Sequence, residues 1–427
     1  MTPLADHSVA WTDEKARALL RRMFDAAVDA ADPRKVLAPH LPAPPQGRCV
    51  VVGAGKAAAT MAMAVEAAWP DVELTGTVVA PYGYGGSTDR INVREASHPV
   101  PDASSEAAAR EILGAVAGLS PQDLVLSLIS GGGSSVLALP VEGLTLTDKQ
   151  QVNRALLASG LDIRTMNAIR RRLSAIKGGK LAAAAAPAQV ITLAISDIPG
   201  DDVAAIASGP TIPDPDAGRD LTPFADLLHD HISRAAYDRL VRPSGPAKEV
   251  PEVDVRLIAT PRGCLEAAAQ VAHDAGVEVK FLGDDLEGES RDLGTEMAKL
   301  ALAPVEQPTL FLSGGETTVT LTGCTPGRGG RNTEFTLSLA IALGGKEGIW
   351  ALAADTDGED GASGGGAGAV MAPDTLARAK SAGLDAVQHL ERHDSGTFFD
   401  GIGDLLKTGP TLTNVNDFRA ILVVPKR

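Results

Sequence analysis

The chain has 427 residues, 44% apolar and 22% charged; that is the make-up of a packed globular protein too long for one ordinary core. A formal net charge of −15 excludes broad electrostatic binding to nucleic acid, which requires clustered lysine and arginine on phosphates. No apolar run reaches bilayer length, and Met1–Trp11 lacks the basic and apolar regions of a signal peptide, so the cytoplasm is the expected compartment. Cys49, Cys264 and Cys324 are odd in number and lack CxxC spacing, which implies neither a disulfide framework nor a zinc site.

The first element reads as a helix, with Ala16, Leu19, Leu20, Met23, Phe24, Ala27 and Val28 on one face and Pro33 beyond its end. A strand at Arg48–Val52 then runs into Gly53-Ala-Gly55-Lys56 and a helical stretch to Trp69. The pattern recurs as strand Thr75–Val79, a helix over 104–119 and strand Asp123–Ile129. Val190–Ile195 is a further buried strand, leading into Ser196-Asp197. Short apolar runs alternating with helices predict βαβ units and a mostly parallel sheet. Pro243–Pro251 is the expected boundary, giving domains over 1–242 and 252–427. Beyond it, strands are expected at Val253–Ala259, Val277–Leu282, Thr309–Leu312 and Gly348–Ala353. The overall class is α/β, with a Rossmann-like first domain.

Glycine clusters fall at the carboxyl ends of these strands, where ligands bind in open α/β sheets. Glycine lets backbone N–H groups converge on an anion, and a helix start adds partial positive charge. Gly53–Ala58 is not a P-loop: Val50 stands where the first glycine belongs and Ala57 where a hydroxyl should hold magnesium. It matches G-x-G-x-x-A, but no acid follows the next strand to take a ribose, since Val79-Ala80 runs into Pro81-Tyr82. Lys56 suits a phosphate or a carboxylate, or is a solvated residue at a helix start.

Ser130-Gly131-Gly132-Gly133-Ser134 offers successive N–H groups and hydroxyls for phosphate, or is a flexible turn. An echo, Ser313-Gly314-Gly315-Glu316, follows a second apolar strand and is expected to be a loop for a related task. Asn167, Arg170, Ser174 and Lys177 are expected on one face of a basic helix, collecting negative charge or simply solvated. Asp197, at a strand end, suits a hard cation. Gly327–Asn332 presents Arg328 and Arg331 from a glycine frame apt for phosphoryl oxygens. Asp355-Thr-Asp357 ends another strand as a carboxylate cluster for magnesium or an attacking hydroxyl, or as a plain acidic turn.

Taken in order, the chain resembles the glycerate 2-kinases of the MOFRL type, some of whose members are called hydroxypyruvate reductases. The resemblance is carried by Val52–Ala57, His98-Pro-Val-Pro-Asp102, Ser130–Ser134, Met166–Arg170 with Lys177-Gly-Gly-Lys180, Ser196–Gly200, Ser208–Thr211, Ser313–Thr317, Gly327–Asn332, Asp355–Gly358 and Thr413–Asn416. It implies a smaller C-terminal α/β (MOFRL) domain, an active site in the inter-domain cleft, ATP, Mg2+ or another divalent cation, and conversion of D-glycerate to 2-phosphoglycerate. It also implies Lys56 and Arg331 as the central functional pair.

Chemistry supplies the remaining assignments. Asp197 is expected as a catalytic residue and, with Asp357, as a metal ligand. Ser130, Gly131, Gly132, Gly133, Ser134, Gly314, Gly315 and Glu316 are expected at nucleotide phosphates. Gly55, Asn167, Arg170, Lys177 and Asn332 are expected at the acceptor substrate. Expected partners are small molecules, with neither nucleic acid nor membrane, in a monomer or homodimer. The alternative activities are a nicotinamide-dependent hydroxypyruvate reductase, for which His98 and His393 show no clear acid partner, and a nucleotide sensor without turnover.

Overall fold

A computed structural model describes residues 11–242, 250–321 and 325–426; most of the expected boundary segment 243–251, and Cys324, lie outside them. The chain divides into two compact units. One comprises Ala30–Thr260 with Leu412–Val415, and the other Met1–Asp29, Pro261–Thr411 and Asn416–Arg427. This division differs from a single cut at the linker, because the first helix and a short C-terminal segment each group with the unit distant in sequence.

The unit built on Ala30–Thr260 carries six strands: β1 (Cys49–Ala54), β2 (Leu74–Pro81), β3 (Asn92–Ala96), β4 (Leu124–Ile129), β5 (Gln189–Ile195) and β6 (Asp254–Ala259). All neighbours are parallel, in the order β3-β2-β1-β4-β5-β6. Every residue of β1 and of β4 is buried, as the unbroken apolar runs require of central parallel strands covered on both faces. Strand order reverses direction between β1 and β4. Their pairing, Ala54 opposite Ile129, brings Gly55 and Ser130 off the sheet side by side at the switch point.

The basic run 167–180 is not one helix. The helix Ile163–Arg172 stops at Leu173, and a second begins only at Lys180. Ser174 instead bridges to Pro140, so Ser174 and Lys177 do not share a helical face with Asn167 and Arg170. Gly178 and Gly179, at φ 63° and 79°, supply the left-handed backbone that separates the two helices.

The other unit holds a mixed sheet of β7 (Glu278–Glu289), β8 (Thr309–Thr318), β9 (Ile349–Asp355), β10 (Gly368–Met371), β11 (Leu405–Leu406) and β12 (Asp417–Val423), ordered β11-β10-β9-β12-β8-β7. Only β7 and β8 run parallel; β12 is antiparallel to both β8 and β9. The helix Asp13–Asp29 belongs to this unit. Phe24 meets Phe418 edge-on at 5.8 Å, Trp350 Nε1 donates to Asp13 Oδ1 at 2.9 Å, and Arg17 pairs with Asp404 at 2.9 Å.

The expected loop at Ser313–Thr318 is strand. β8 continues through it because β7 runs alongside, with Leu286 opposite Gly315 and Glu289 opposite Thr318.

Candidate active site

At the switch point, the turn after β1 is occupied by its own fold. The N–H groups of Gly55, Lys56, Ala57 and Ala58 donate to Val79 O, Gly131 O, Ser130 Oγ and Gly55 O, at 2.8–3.1 Å. A dinucleotide turn would instead aim such groups at a pyrophosphate. Gly55, at φ 130°, is required by close approach: a Cβ there would stand 2.3 Å from Ser130 Oγ. Its role in this conformation is to let the two loops touch.

The loop after β4 is differently disposed. Ser130 N and Gly133 N are bonded to Ala54 O and Ser130 O. Among the described residues, the N–H groups of Gly131, Gly132 and Ser134 make no hydrogen bond, and Ser134 is the second residue of the short helical turn Gly133–Val136. Adjacent unpaired N–H groups at a strand end form a cradle for an anion.

The surrounding side chains fit that cradle. A Cβ on Gly132 would lie 3.3 Å from His98 Cδ2 and 3.5 Å from Lys56 Cγ. A Cβ on Gly131 would overlap the Asp197 carboxylate at 1.8 Å, beside Asn414 Nδ2 at 2.9 Å. The loop is thus glycine because charged groups crowd it. Asn414 donates its amide to Asp197 Oδ2 at 3.2 Å, fixing the carboxylate. The Lys56 ammonium lies 5.9 Å from the centre of the Tyr84 ring, within cation–π range.

His98 is solvent-accessible, yet desolvation by neighbouring groups, then the charges of Lys56 and Arg170, lower its pKa to about 4. It is a neutral imidazole near neutral pH. A relay of hydroxyl and amide groups leads away from the loop. Ser134 Oγ and Ser208 Oγ are 2.7 Å apart, Ser208 Oγ donates to Asn167 Oδ1 at 3.0 Å, and Arg170 Nη1 donates to the same oxygen at 3.3 Å. Ala207, Ser208 and Gly209 are all left-handed, at φ 50°, 61° and 59°; two non-glycine residues in that region mark backbone held by its surroundings.

In the other unit, Arg331 begins the helix Arg331–Leu343. Its Nε, Nη1 and Nη2 donate to Asp417 at 2.8 Å, Glu316 at 2.6 Å and Asp355 at 2.6 Å. Against the burial of the guanidinium, the charges of Asp417, Asp355 and Glu316 hold its pKa well above the usual value. Arg328 does not join it: its Nη2 donates to Ser363 O at 3.0 Å and lies 3.5 Å from Asp400. Asn332 is fully buried, with Nδ2 on Asp417 Oδ1 at 2.7 Å and no partner for its Oδ1. Asp360 accepts the N–H groups of Asn332 and Thr333 at 2.9 and 2.8 Å, and burial nevertheless raises its pKa to about 6.

Asp357 is buried, receives Glu359 N on its Oδ1 at 2.8 Å and donates its own N–H to Asp355 Oδ1 at 3.1 Å. Gly314 and Gly315 are buried within β8, while Glu316 points outward onto Arg331. Among the described residues there is no cluster of three or more His, Cys, Asp or Glu side chains arranged for a metal. Magnesium needs only one or two carboxylates beside phosphate oxygens, and Asp197, held by an amide against the free N–H cradle, fits as such a donor.

Sequence reasoning assigned no role to four residues that the structure places here. Asn414 reaches Asp197 from the far end of the chain, which no local spacing reveals. Glu334, rather than Asp394, is the acid on His393, at 3.0 Å, shared with Arg291. Lys149 and Asn153 stand four apart on the helix Leu146–Ala158; their interruption of its apolar face was the available signal.

Two family models match the chain, one described as a domain of unknown function (DUF4147) over residues 19–235 and the MOFRL family over 309–417. A protein of Agrobacterium vitis named "Putative hydroxypyruvate reductase" is 55% identical, covering 97% of this chain and 96% of its own. The D-glycerate 2-kinase of Thermotoga maritima is 35% identical over 96% of this chain and 99% of that protein. A crystal structure of glycerate kinase from Thermotoga maritima superposes with a TM-score of 0.84 at 34% identity, covering 96% of this chain and all of that one.

Proposed function

This chain belongs to the glycerate kinase family, with DUF4147 and MOFRL domains, and from that premise we propose that it is an ATP-dependent kinase converting D-glycerate to 2-phosphoglycerate. The observation that carries the reading is the free N–H cradle at Gly131, Gly132 and Ser134, with Lys56 on one side and the Asp197 carboxylate on the other. Phosphoryl transfer asks chiefly for charge neutralisation and alignment, and this arrangement can supply both. The loop would hold nucleotide phosphates, Lys56 would face the transferring phosphoryl group, and Asp197 would hold a divalent cation or take the hydroxyl proton. A bound cation would neutralise phosphate charge. Asp357 is a second metal-ligand candidate, and Arg331 a second cation required for turnover.

Hydroxypyruvate reduction is the second reading, favoured by the name of the Agrobacterium vitis relative and by G-x-G-x-x-A after β1. Against it stand the occupied N–H groups of that turn and the lack of an acid at the end of β2. Phosphorus NMR of a mixture of protein, ATP, magnesium and D-glycerate tests the kinase reading; 2-phosphoglycerate is the expected product. Oxidation of NADH by hydroxypyruvate with no phosphorylated product would replace it.

A further inference from the structure

Three consecutive arginines leave the helix Ile163–Arg172, and their partners differ. Arg171 pairs with Asp214 at 2.6 Å and Asp216 at 2.7 Å. Arg172 is surrounded by the carbonyls of Leu240, Arg242, Ala217 and Arg219. Arg170 has no carboxylate among the described residues: its guanidinium reaches only Asn167 Oδ1 at 3.3 Å and Asn153 Oδ1 at 3.4 Å. A largely buried cation satisfied by two long neutral contacts retains most of its capacity for an anion.

Arg170 is not alone. A cavity of about 20 Å³ is lined by Ser134, Lys149, Asn153, Arg170 and Lys177 among apolar neighbours. Lys149 is 7% exposed and Lys177 1%. Their ammonium groups contact only backbone carbonyls, Arg170 O at 3.5 Å for Lys149 and Leu137 O at 2.7 Å and Ala207 O at 3.5 Å for Lys177. Burial, then the charges of Arg170 and Lys180, lower Lys149 to about 7; burial and the neighbouring cations Lys149, Arg170 and Lys180 carry Lys177 well below its usual value. One guanidinium and two buried lysine amines therefore face one small space whose lining includes no acid. Such a space holds about one water-sized group, far too little for a triphosphate. Through Ser134 it adjoins the free N–H cradle.

We propose that this cavity is the carboxylate subsite for the acceptor acid, with Arg170 as the direct ligand, Asn153 setting the guanidinium plane, and Lys149 and Lys177 closing the space behind it, Lys149 adding charge where it is protonated. The inference rests on the kinase reading and adds to it the group recognised and two residues, Lys149 and Asn153. A carboxylate anchored beside Ser134 would sit next to the loop that carries the free N–H groups.

The test compares D-glycerate with its neutral amide, glyceramide, as phosphoryl acceptors for the full chain. The wild type should favour the acid by about 100-fold in kcat/KM, the scale expected when a charge-assisted bidentate contact is replaced by a neutral one. In Arg170→Gln the ratio should fall to within about tenfold through KM for glycerate, with the Kd for ATP within about twofold. Asn153→Ala should move in the same direction by less. An unchanged ratio in folded Arg170→Gln, or equal loss of ATP affinity, overturns the subsite. Should that variant not fold, inhibition of the wild type by glycolate decides: competition with glycerate but not with ATP supports the subsite, and competition with ATP overturns it. Absence of any ATP-dependent phosphorylation of glycerate by the wild type would instead remove the kinase reading itself.

Discussion

Ser130–Ser135 and Ser313–Thr318 begin alike, an apolar strand running into Ser-Gly-Gly, and become different structures. After β4 the chain turns at once, because its neighbours turn too: β1 ends at Ala54 and β5 at Ile195. N–H groups with nothing to pair with are left facing outward. After Leu312 the chain goes on as β8, because β7 continues beside it and takes up the backbone as far as Thr318. A glycine run is thus not a ligand loop by composition. It becomes one where adjacent strands release it together.

The contrast can be broken by substitution. The largest effect expected is on the second segment. Arg331→Ala would remove one guanidinium from Asp417, Asp355 and Glu316 together while Arg419 stays on Asp417; we expect a stability loss of about 3 kcal/mol, read by urea unfolding. A midpoint near that of the wild type would show that Arg331 does not hold the segment. Next is Gly131→Ala, whose Cβ must displace the Asp197 carboxylate. Turnover should fall by about 10²–10³-fold, the scale of a lost electrostatic contact, with the melting temperature close to the wild type's. Gly315→Ala should do the reverse. At φ 102° its Cβ would meet Leu286 O at 2.2 Å, so a stability loss of about 2 kcal/mol is expected, with turnover per folded molecule preserved. Exchange of these two phenotypes would mean that the roles of the segments are inverted.

The smallest effect concerns pH. The protonated form of Lys149 attracts an anion, and burial with Arg170 and Lys180 brings its pKa to about 7. Glycerate KM should therefore be lowest below pH 7 and rise as pH climbs through that value, by a few-fold given the screening by neighbouring Arg170 and Lys177. A flat KM from pH 6 to 8.5, with His98 already neutral throughout, would show that Lys149 does not contribute charge to acceptor binding.

Strands and helices of the first unit were legible because their apolar runs are long and bounded by glycine and proline. A mostly parallel sheet follows from alternation of strand and helix, but β3, joined to β2 without a helix, and the place of β6 in this sheet rather than beyond the boundary do not. The second sheet was less so: β10, β11 and β12 are short or lie late in the chain, and their antiparallel pairing depends on contacts between segments far apart in sequence. The basic run 167–180 misled because residue spacing assumes a continuous helix, and Gly178-Gly179 breaks it. In the candidate site, residues at strand ends were visible from sequence. Lys149 and Asn153 were not, since their place comes from helix packing; Asn414 stood within the motif Thr413–Asn416, but its contact with Asp197 comes from a distant segment crossing back.

The helix Asp13–Asp29 groups with elements from beyond Pro261, Phe418 among its partners. It is synthesised before these partners and can dock only after them. At about 5–20 residues per second, its apolar stripe of Leu19, Leu20, Met23 and Phe24 waits tens of seconds for a surface to cover. Completion of this unit is thereby tied to synthesis of β12, so a product that stops short of it keeps an open hydrophobic face.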